Sequence, residues 1–172
     1  MKPVVYAGSF DPITNGHVDI IRRAARVFGT VRVVVLSSPH KKPLFSVQER
    51  LDLIRKNTAD IPGVSVAGYG GLLVDYLAQE GLSVVVRGVR GVADAEEEAS
   101  YAYANRLLAP FVEFVWLPAD PKFCFVSSSA VRESFSYGRE IPGYVSEETA
   151  RALRVKFPAK NLPSCSKDPE KN

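Results

Sequence analysis

Four groups of polar residues in this chain have the types and spacing for phosphate chemistry. Ser9 and His17 bracket a loop dense in turn formers, Gly8-Ser9-Phe10-Asp11-Pro12-Ile13-Thr14-Asn15-Gly16-His17. Lys41 and Lys42 stand in a polar, basic stretch, Ser37-Ser38-Pro39-His40-Lys41-Lys42-Pro43. Arg87 and Arg90 bracket Gly88-Val89, and Val126 leads into Ser127-Ser128-Ser129. An imidazole can hydrogen-bond a phosphoryl oxygen whose charge grows in the transition state. A lysine can bridge two phosphates, and an arginine fork matches phosphate geometry. Hydroxyls and free N–H groups at a helix start hold anions. Together these types suit phosphoryl or nucleotidyl transfer, which relies on positioning and charge neutralisation. Each group also has a plain structural reading: a helix-start histidine, a solvated lysine pair, two surface arginines, a serine-rich cap. The elements that place them decide between the two.

Val4-Val5-Tyr6-Ala7 is a short apolar run that reads as a buried strand. After the loop, Val18, Ile20, Ile21, Ala24 and Ala25 fall at helical spacing, so His17 stands at a helix start. Free N–H groups and the positive end of the helix dipole gather there. The loop is neither a dinucleotide fingerprint nor a Walker loop, whose glycine spacings are missing. Val31–Leu36 reads as a strand buried on both faces. Ser46-Val47-Gln48-Glu49 is a capping box opening a helix with Leu51, Leu53 and Ile54 inward. Strands are expected at Val64–Tyr69, Ser83–Val86 and Glu113–Leu117. Helices are expected at Leu72–Gln79, closed by Gly81, and at Asp94–Leu108, with further helices after Ser129 and after Ser146. The Arg87–Gly91 and Pro118–Phe125 stretches read as loops. Strands alternating with helices predict an α/β fold, a Rossmann-like open parallel sheet of about five strands with flanking helices. Ligands of such sheets sit outside the carboxyl ends of the strands. The four polar groups all fall on loops after strands, which favours the functional reading.

Composition narrows the rest. At 172 residues, 46% hydrophobic and 24% charged, the chain suits a single domain over 1–157, with a polar tail at 158–172 expected to be disordered. A net charge of +3 is too slight to argue for nucleic acid but suits an anionic small substrate. Two isolated cysteines, Cys124 and Cys165, form no metal or redox motif with His17 and His40. No run approaches the length of a membrane span, and no signal-peptide pattern opens the chain, so a cytoplasmic protein is expected.

Thr14-Asn15-Gly16-His17 resembles the first signature of the nucleotidyltransferase superfamily, and Val126-Ser127-Ser128-Ser129 resembles the second. The longer Gly8–His17 string, Ser38-Pro39-His40-Lys41-Lys42-Pro43 and Arg87-Gly88-Val89-Arg90-Gly91-Val92-Ala93-Asp94 resemble the phosphopantetheine adenylyltransferases. The likeness runs from residue 3 to about 157. It implies transfer of AMP from ATP to 4′-phosphopantetheine, reversibly giving dephospho-coenzyme A and pyrophosphate by direct in-line attack. It implies His17, Lys41, Arg90 and Ser129 as catalytic, and Ser9, Lys41, Leu73 and Arg87 on phosphopantetheine. On ATP it implies Ser9, Phe10, His17, Gly88, Val89, Arg90, Glu98 and the run Phe123, Cys124, Phe125, Val126, Ser127, Ser128 and Ser129. The residues alone do not choose between Lys41 and Lys42; the resemblance chooses Lys41. Mg²⁺ is implied as ATP's companion with no dedicated protein ligands, together with a homohexamer and feedback inhibition by coenzyme A. Ser9, Phe123 and Gly71 depart from relatives that have Thr, Trp and Asp there. Rival readings are another nucleotidyltransferase, such as a nicotinate mononucleotide enzyme, a non-catalytic nucleotide-binding module, and a structural interaction protein.

Overall fold

The computed structural model describes residues 2–38 and 42–158. Strands β1 (Val4–Gly8), β2 (Val31–Leu36), β3 (Val64–Tyr69), β4 (Val84–Val89) and β5 (Glu113–Pro118) form one sheet, ordered β3-β2-β1-β4-β5. Every pairing is parallel. Between and after them run helices α1 (Asn15–Phe28), α2 (Val47–Thr58), α3 (Leu73–Glu80), α4 (Val92–Leu108), α5 (Ser128–Ser136) and α6 (Glu147–Lys156). The chain builds outward from β1 through β2 to β3, then returns to lay β4 on the other side of β1. That reversal is the switch point where an open α/β sheet holds its ligands.

Strand alternation explains the layers. Val4 and Tyr6 face one side of the sheet with Val31, Val33, Val35 and Val86, where Ile20, Ile21, Leu51, Ile54, Val131 and Leu153 of the helices cover them. Val5, Ala7, Val34 and Val85 face the other side, under Leu73, Val74 and Leu77 of α3. Buried on both faces, the central strands read as continuous apolar runs. Among the described residues no helix is long and apolar enough to cross a membrane.

The capping box of α2 forms as its sequence implies: Ser46 Oγ accepts from Glu49 N and Glu49 Oε2 accepts from Ser46 N. Leu51, Leu53 and Ile54 are all buried. Gly81 closes α3 in the left-handed conformation at φ 63°. One boundary differs in a way that matters. Strand β4 does not stop at Val86 but continues through Val89, with Arg87 opposite Trp116, Gly88 opposite Leu117 and Val89 opposite Pro118. Arg87 and Gly88 have no strand preference of their own, so pairing with β5 carries the strand on. Arg87 is therefore a strand residue held in the sheet, not a loop residue. The expected Pro118–Phe125 loop holds one 3₁₀ turn, Pro121–Phe123, and α4 starts at Val92, two residues earlier than its acidic run suggested. The expected tail beyond Pro158 lies outside the described residues.

Gly63, at φ 78°, makes the turn between α2 and β3, where a Cβ would collide with the carbonyl oxygen of Gly29. Gly63→Ala is expected to cost about 1–3 kcal/mol, from backbone strain and the clash together. Urea unfolding measures it; an unchanged midpoint would contradict the packing described.

Candidate active site

Two clefts open at the carboxyl ends of β1 and β4, and they meet at Ser128 and Ser129, which border both. The larger, about 1000 Å³, is rimmed by four cationic side chains, Lys42, Arg50, Arg87 and Arg132, beside Ser9. The smaller, about 260 Å³, holds His17, Arg90, Gly88 and Phe123. A positively charged chamber thus adjoins a narrower one with an imidazole in its wall.

His17 is placed by the start of its own helix. Thr14 is the N-cap of α1: its Oγ1 accepts from His17 N at 3.4 Å, while Thr14 N donates to His17 Nδ1 at 3.0 Å. An imidazole nitrogen that accepts a backbone N–H carries no proton, so the proton of the neutral ring resides on Nε2. Partial burial, then the nearby charges of Arg87 and Arg90, push the His17 pKa down to about 4. The ring is neutral at physiological pH and acts as a donor. Phe10 braces it edge-on, ring centroids 5.1 Å apart. Phe10 adopts φ 46°, rare for a residue with a side chain, and this turns its ring back against β1, where it is 2% exposed. The ring of Phe10, a residue expected on ATP, lies in the core behind His17.

The folded pKa of His17 lies below the unfolded value of about 6.5. Protons therefore favour the unfolded chain, and stability falls as pH drops from about 6.5 toward about 4. His17→Gln is expected to lessen that acid-side loss. Urea unfolding of both proteins at pH 7 and pH 5 reads it, and identical losses would contradict a buried neutral imidazole.

Arg87 and Arg90 are both held from α4. Arg87 Nε donates to Glu98 Oε2 at 2.7 Å, Nη2 donates to Glu98 Oε1, and Nη1 donates to the Ala7 carbonyl at 2.6 Å. Burial opposes the charge on Arg87, but the Glu98 hydrogen bonds outweigh it and raise its pKa. Arg90 Nη2 donates to Asp94 Oδ1 at 2.7 Å, and its backbone N–H donates to Asp94 Oδ2. Glu98, expected on ATP, has both carboxylate oxygens on Arg87 and borders neither cleft.

At the start of α5, Ser127 caps the helix by accepting from Ala130 N at 3.1 Å, and Ser128 Oγ donates to the Pro12 carbonyl at 2.8 Å. The capping reading holds for Ser127, while Ser128 bonds another segment. The Ser128 bond ties the two signature loops together, and the first N–H groups of α5, which have no intrahelical acceptor, are left for an anion. Ser129 Oγ accepts from Arg132 Nη2 at 3.3 Å.

Over residues 5–134 the chain matches the cytidylyltransferase-like family. It is 45% identical over 160 residues to the phosphopantetheine adenylyltransferase of Dictyoglomus thermophilum, covering 93% of this chain and 98% of the relative. With the Symbiobacterium thermophilum protein of the same name it shares 48% over 163 residues, covering 95% and 100%. With that of Haemophilus influenzae it shares 44% over 156 residues, covering 91% and 100%. The chain belongs to the phosphopantetheine adenylyltransferase family. At the level of fold, it resembles a bifunctional NMN adenylyltransferase/ADP ribose pyrophosphatase from Francisella tularensis, solved with AMP and a Mn ion. The TM-score is 0.65 at 17% identity, over 90% of this chain and 49% of that one, so this chain spans about half of that protein's length.

In this adenylyltransferase most of the expected residues border one cleft or both. Ser9, Leu73 and Arg87 border the larger one; His17, Gly88, Arg90, Phe123, Val126 and Ser127 border the smaller; Ser128 and Ser129 border both. Lys41 lies outside the described residues, while Lys42 borders the larger cleft. Val89, Cys124 and Phe125 border neither; Phe125 is 84% exposed and Cys124 Sγ faces the Asp120 carbonyl at 3.7 Å.

Sequence reasoning missed Asp11 and Arg50. Asp11 Oδ2 accepts from Leu44 N and Oδ1 from Phe45 N, each at 2.9 Å, and its carbonyl accepts from Arg132 Nη1. Arg50 is 3% exposed and its Nη1 donates to the Ser9 carbonyl at 2.9 Å. Its signal was present: an arginine one turn after Val47 and one before Ile54 sits on the inward face of an amphipathic helix.

Proposed function

We propose that this member of the phosphopantetheine adenylyltransferase family transfers AMP from ATP to 4′-phosphopantetheine, giving dephospho-coenzyme A and pyrophosphate, the penultimate step of coenzyme A synthesis. The observation that carries the reading is the meeting of two clefts at Ser128–Ser129, with a neutral imidazole donor in one and four cations around the other. ATP occupies the smaller cleft and extends its phosphates to the start of α5. The phosphate of the acceptor enters the larger cleft. It is already ionised, so attack on the α-phosphorus needs no general base. The protein supplies alignment and charge.

In this reading His17 Nε2 donates to a non-bridging oxygen of the α-phosphate, and Lys41 bridges that phosphate and the acceptor. Ser9 orients the attacking group. Arg90 and Ser129 hold the departing pyrophosphate, Arg87 holds the acceptor phosphate, and the backbone near Leu73 contacts the pantetheine arm. Gly88, Val89 and the Phe123–Ser129 segment line the nucleotide, with Phe10 acting through its backbone and as a brace for His17.

Mg²⁺ fits as a companion of ATP, held by phosphate oxygens and water and offsetting charge on the outer phosphates. The nearby carboxylates of Asp11, Asp94 and Glu98 are committed to Leu44 and Phe45, to Arg90 and to Arg87. Among the described residues no three His, Cys, Asp or Glu side chains gather as metal ligands. Family membership further supports a cytoplasmic homohexamer inhibited by coenzyme A. The test is pyrophosphate release from ATP and Mg²⁺ with 4′-phosphopantetheine, run beside nicotinate mononucleotide. Release with the first acceptor alone is the expected result. Release with the second alone would keep the fold and discard the substrate.

A further inference from the structure

Between the end of β5 and the start of α5 the chain passes along the smaller cleft as a strap, with Ala119 and Phe123 in the cleft wall. β5 is an edge strand, so the strap has a sheet neighbour on one side only, where Ala119 N donates to the Val89 carbonyl at 2.8 Å. On the other side stands α1. Arg23 Nη1 donates to the Pro118 carbonyl at 2.6 Å and to Asp19 Oδ2 at 3.2 Å. We propose that Asp19 and Arg23 form a clip that fixes the strap to α1, so that Arg23 is a positioning residue for the nucleotide and Asp19 acts through it. That the smaller cleft takes ATP rests on the reading above.

The placement of the strap supports the clip. Gly16, His17 and Ile20 border the smaller cleft from α1. Arg23 follows Gly16 by seven residues and Asp19 by four, so all three share one face of the helix. The strap runs back along that face. Its first residue is tied to Arg23 through the Pro118 carbonyl. Its far end, Phe123, reaches Gly16, where an added Cβ would stand 3.5 Å from Phe123 Cβ. Between the two, α1 lies so close to β4 that a Cβ on Gly88 would stand 2.9 Å from Ile20 Cγ1. One helix therefore carries His17 at its head and sets the position of the cleft wall about 9 Å further along its axis.

The strap holds its own shape. Asp120 Oδ1 accepts from Lys122 N at 3.1 Å, and the Asp120 carbonyl accepts from Phe123 N at 2.8 Å. What the clip supplies is placement. Asp19 and Arg23 border neither cleft, so they reach the nucleotide only through Pro118. A partly exposed ion pair on one helix contributes little stability of its own. Its use here is orientation: Asp19 takes one N–H of Nη1 and aims the other at the carbonyl, in a charge-assisted bond. A wall fixed before the ligand arrives has less freedom to lose on binding.

Arg23→Met keeps the bulk of the side chain and removes its donors. It is expected to raise KM for ATP about tenfold and to leave KM for 4′-phosphopantetheine within about twofold. Asp19→Asn is expected to raise KM for ATP about threefold and to add nothing in an Arg23→Met background, since its effect passes through Arg23. Arg23→Lys, which keeps a charged donor, should recover part of the loss. Hydrogen exchange reads the clip without turnover: in Arg23→Met the amides of residues 119–126 should exchange faster while those of β1 and β2 keep their rates. An unchanged KM for ATP beside a lowered urea midpoint, equal rises in both constants, or faster exchange spread over the whole chain would each overturn the proposal and leave the pair as a plain structural tie. Calorimetric binding of ATP keeps this proposal apart from the reaction it rests on. A wild-type protein that binds ATP and makes no product defeats the reaction assigned above, while weaker ATP binding in Arg23→Met would still uphold the clip and equal binding would overturn it.

Discussion

Replacing His17 with Ala is expected to lower kcat by about 100- to 1000-fold, the cost of losing one aligned donor to a developing oxyanion. KM for ATP should move by less than about threefold, because the donor matters most when charge builds on the α-phosphate. The structure explains why this donor is well prepared. Thr14 N occupies Nδ1, so the proton resides on Nε2. Phe10 fixes the ring plane from one side, and the low pKa keeps the ring neutral across the working range of pH. With a pKa near 4 neither this role nor the alternative, a general base, gives an inflection above about pH 5.5; below it a general base predicts a kcat that falls as the ring protonates, whereas a donor keeps its Nε2–H and predicts no such fall. Steady-state kinetics of both proteins against pH separate the two; equal losses in kcat and in ATP affinity on removing His17 would contradict the transition-state role.

The second large effect belongs to a residue that does no chemistry. Asp11→Ala is expected to cost about 2–4 kcal/mol of stability, from one fully buried and one partly buried N–H left without acceptors. Phe45, whose N–H bonds Asp11 Oδ1 at 2.9 Å, is 1% exposed, so water cannot easily replace that partner. Arg132 also loses a carboxylate that stands 3.8 Å from its Nη1. Activity should fall further than stability implies. Asp11 joins the β1–α1 loop to the segment that follows the two lysines, so its loss lets that segment shift relative to His17. A shift of about 1 Å is enough for a loss near 100-fold in kcat/KM. Asp11→Asn, which keeps one acceptor oxygen, should fall between. Urea unfolding and kcat/KM together check this, and an alanine variant with wild-type kinetics would contradict the role of Asp11 as a tie between the loops.

What could be read from the chain divides by the range of the interactions. The Gly8–His17 loop, the Ser46–Glu49 capping box and the Gly81 stop are local devices, each specified within a few residues, and each forms as its residues imply. The buried strands were legible because parallel sheets covered on both faces leave continuous apolar runs. Strand β4 was cut short because Arg87-Gly88 carries no strand signal; its pairing with Trp116 and Leu117 comes from a distant segment. The resemblance places Glu98 on ATP, while the residues alone show one acid among three on a helix. Its partner lies eleven residues away on a strand, and only packing of α4 against β4 brings them together. The resemblance places Phe10 on the nucleotide; the positive φ that turns its ring into the core is a backbone feature that no spacing announces. Asp11 acts on backbone atoms of another element, which no spacing reveals, whereas Arg50 stands on the inward face of α2, a signal that the helical spacing does carry.

The most direct measurement follows the label from ATP radiolabelled at the α-phosphate, incubated with the full chain, Mg²⁺ and 4′-phosphopantetheine. The account predicts that the label moves into dephospho-coenzyme A in step with pyrophosphate release, and that no labelled protein can be isolated. Label retained in ATP while the protein binds it, or a labelled enzyme that passes AMP on to the acceptor, would contradict direct in-line transfer between the two clefts.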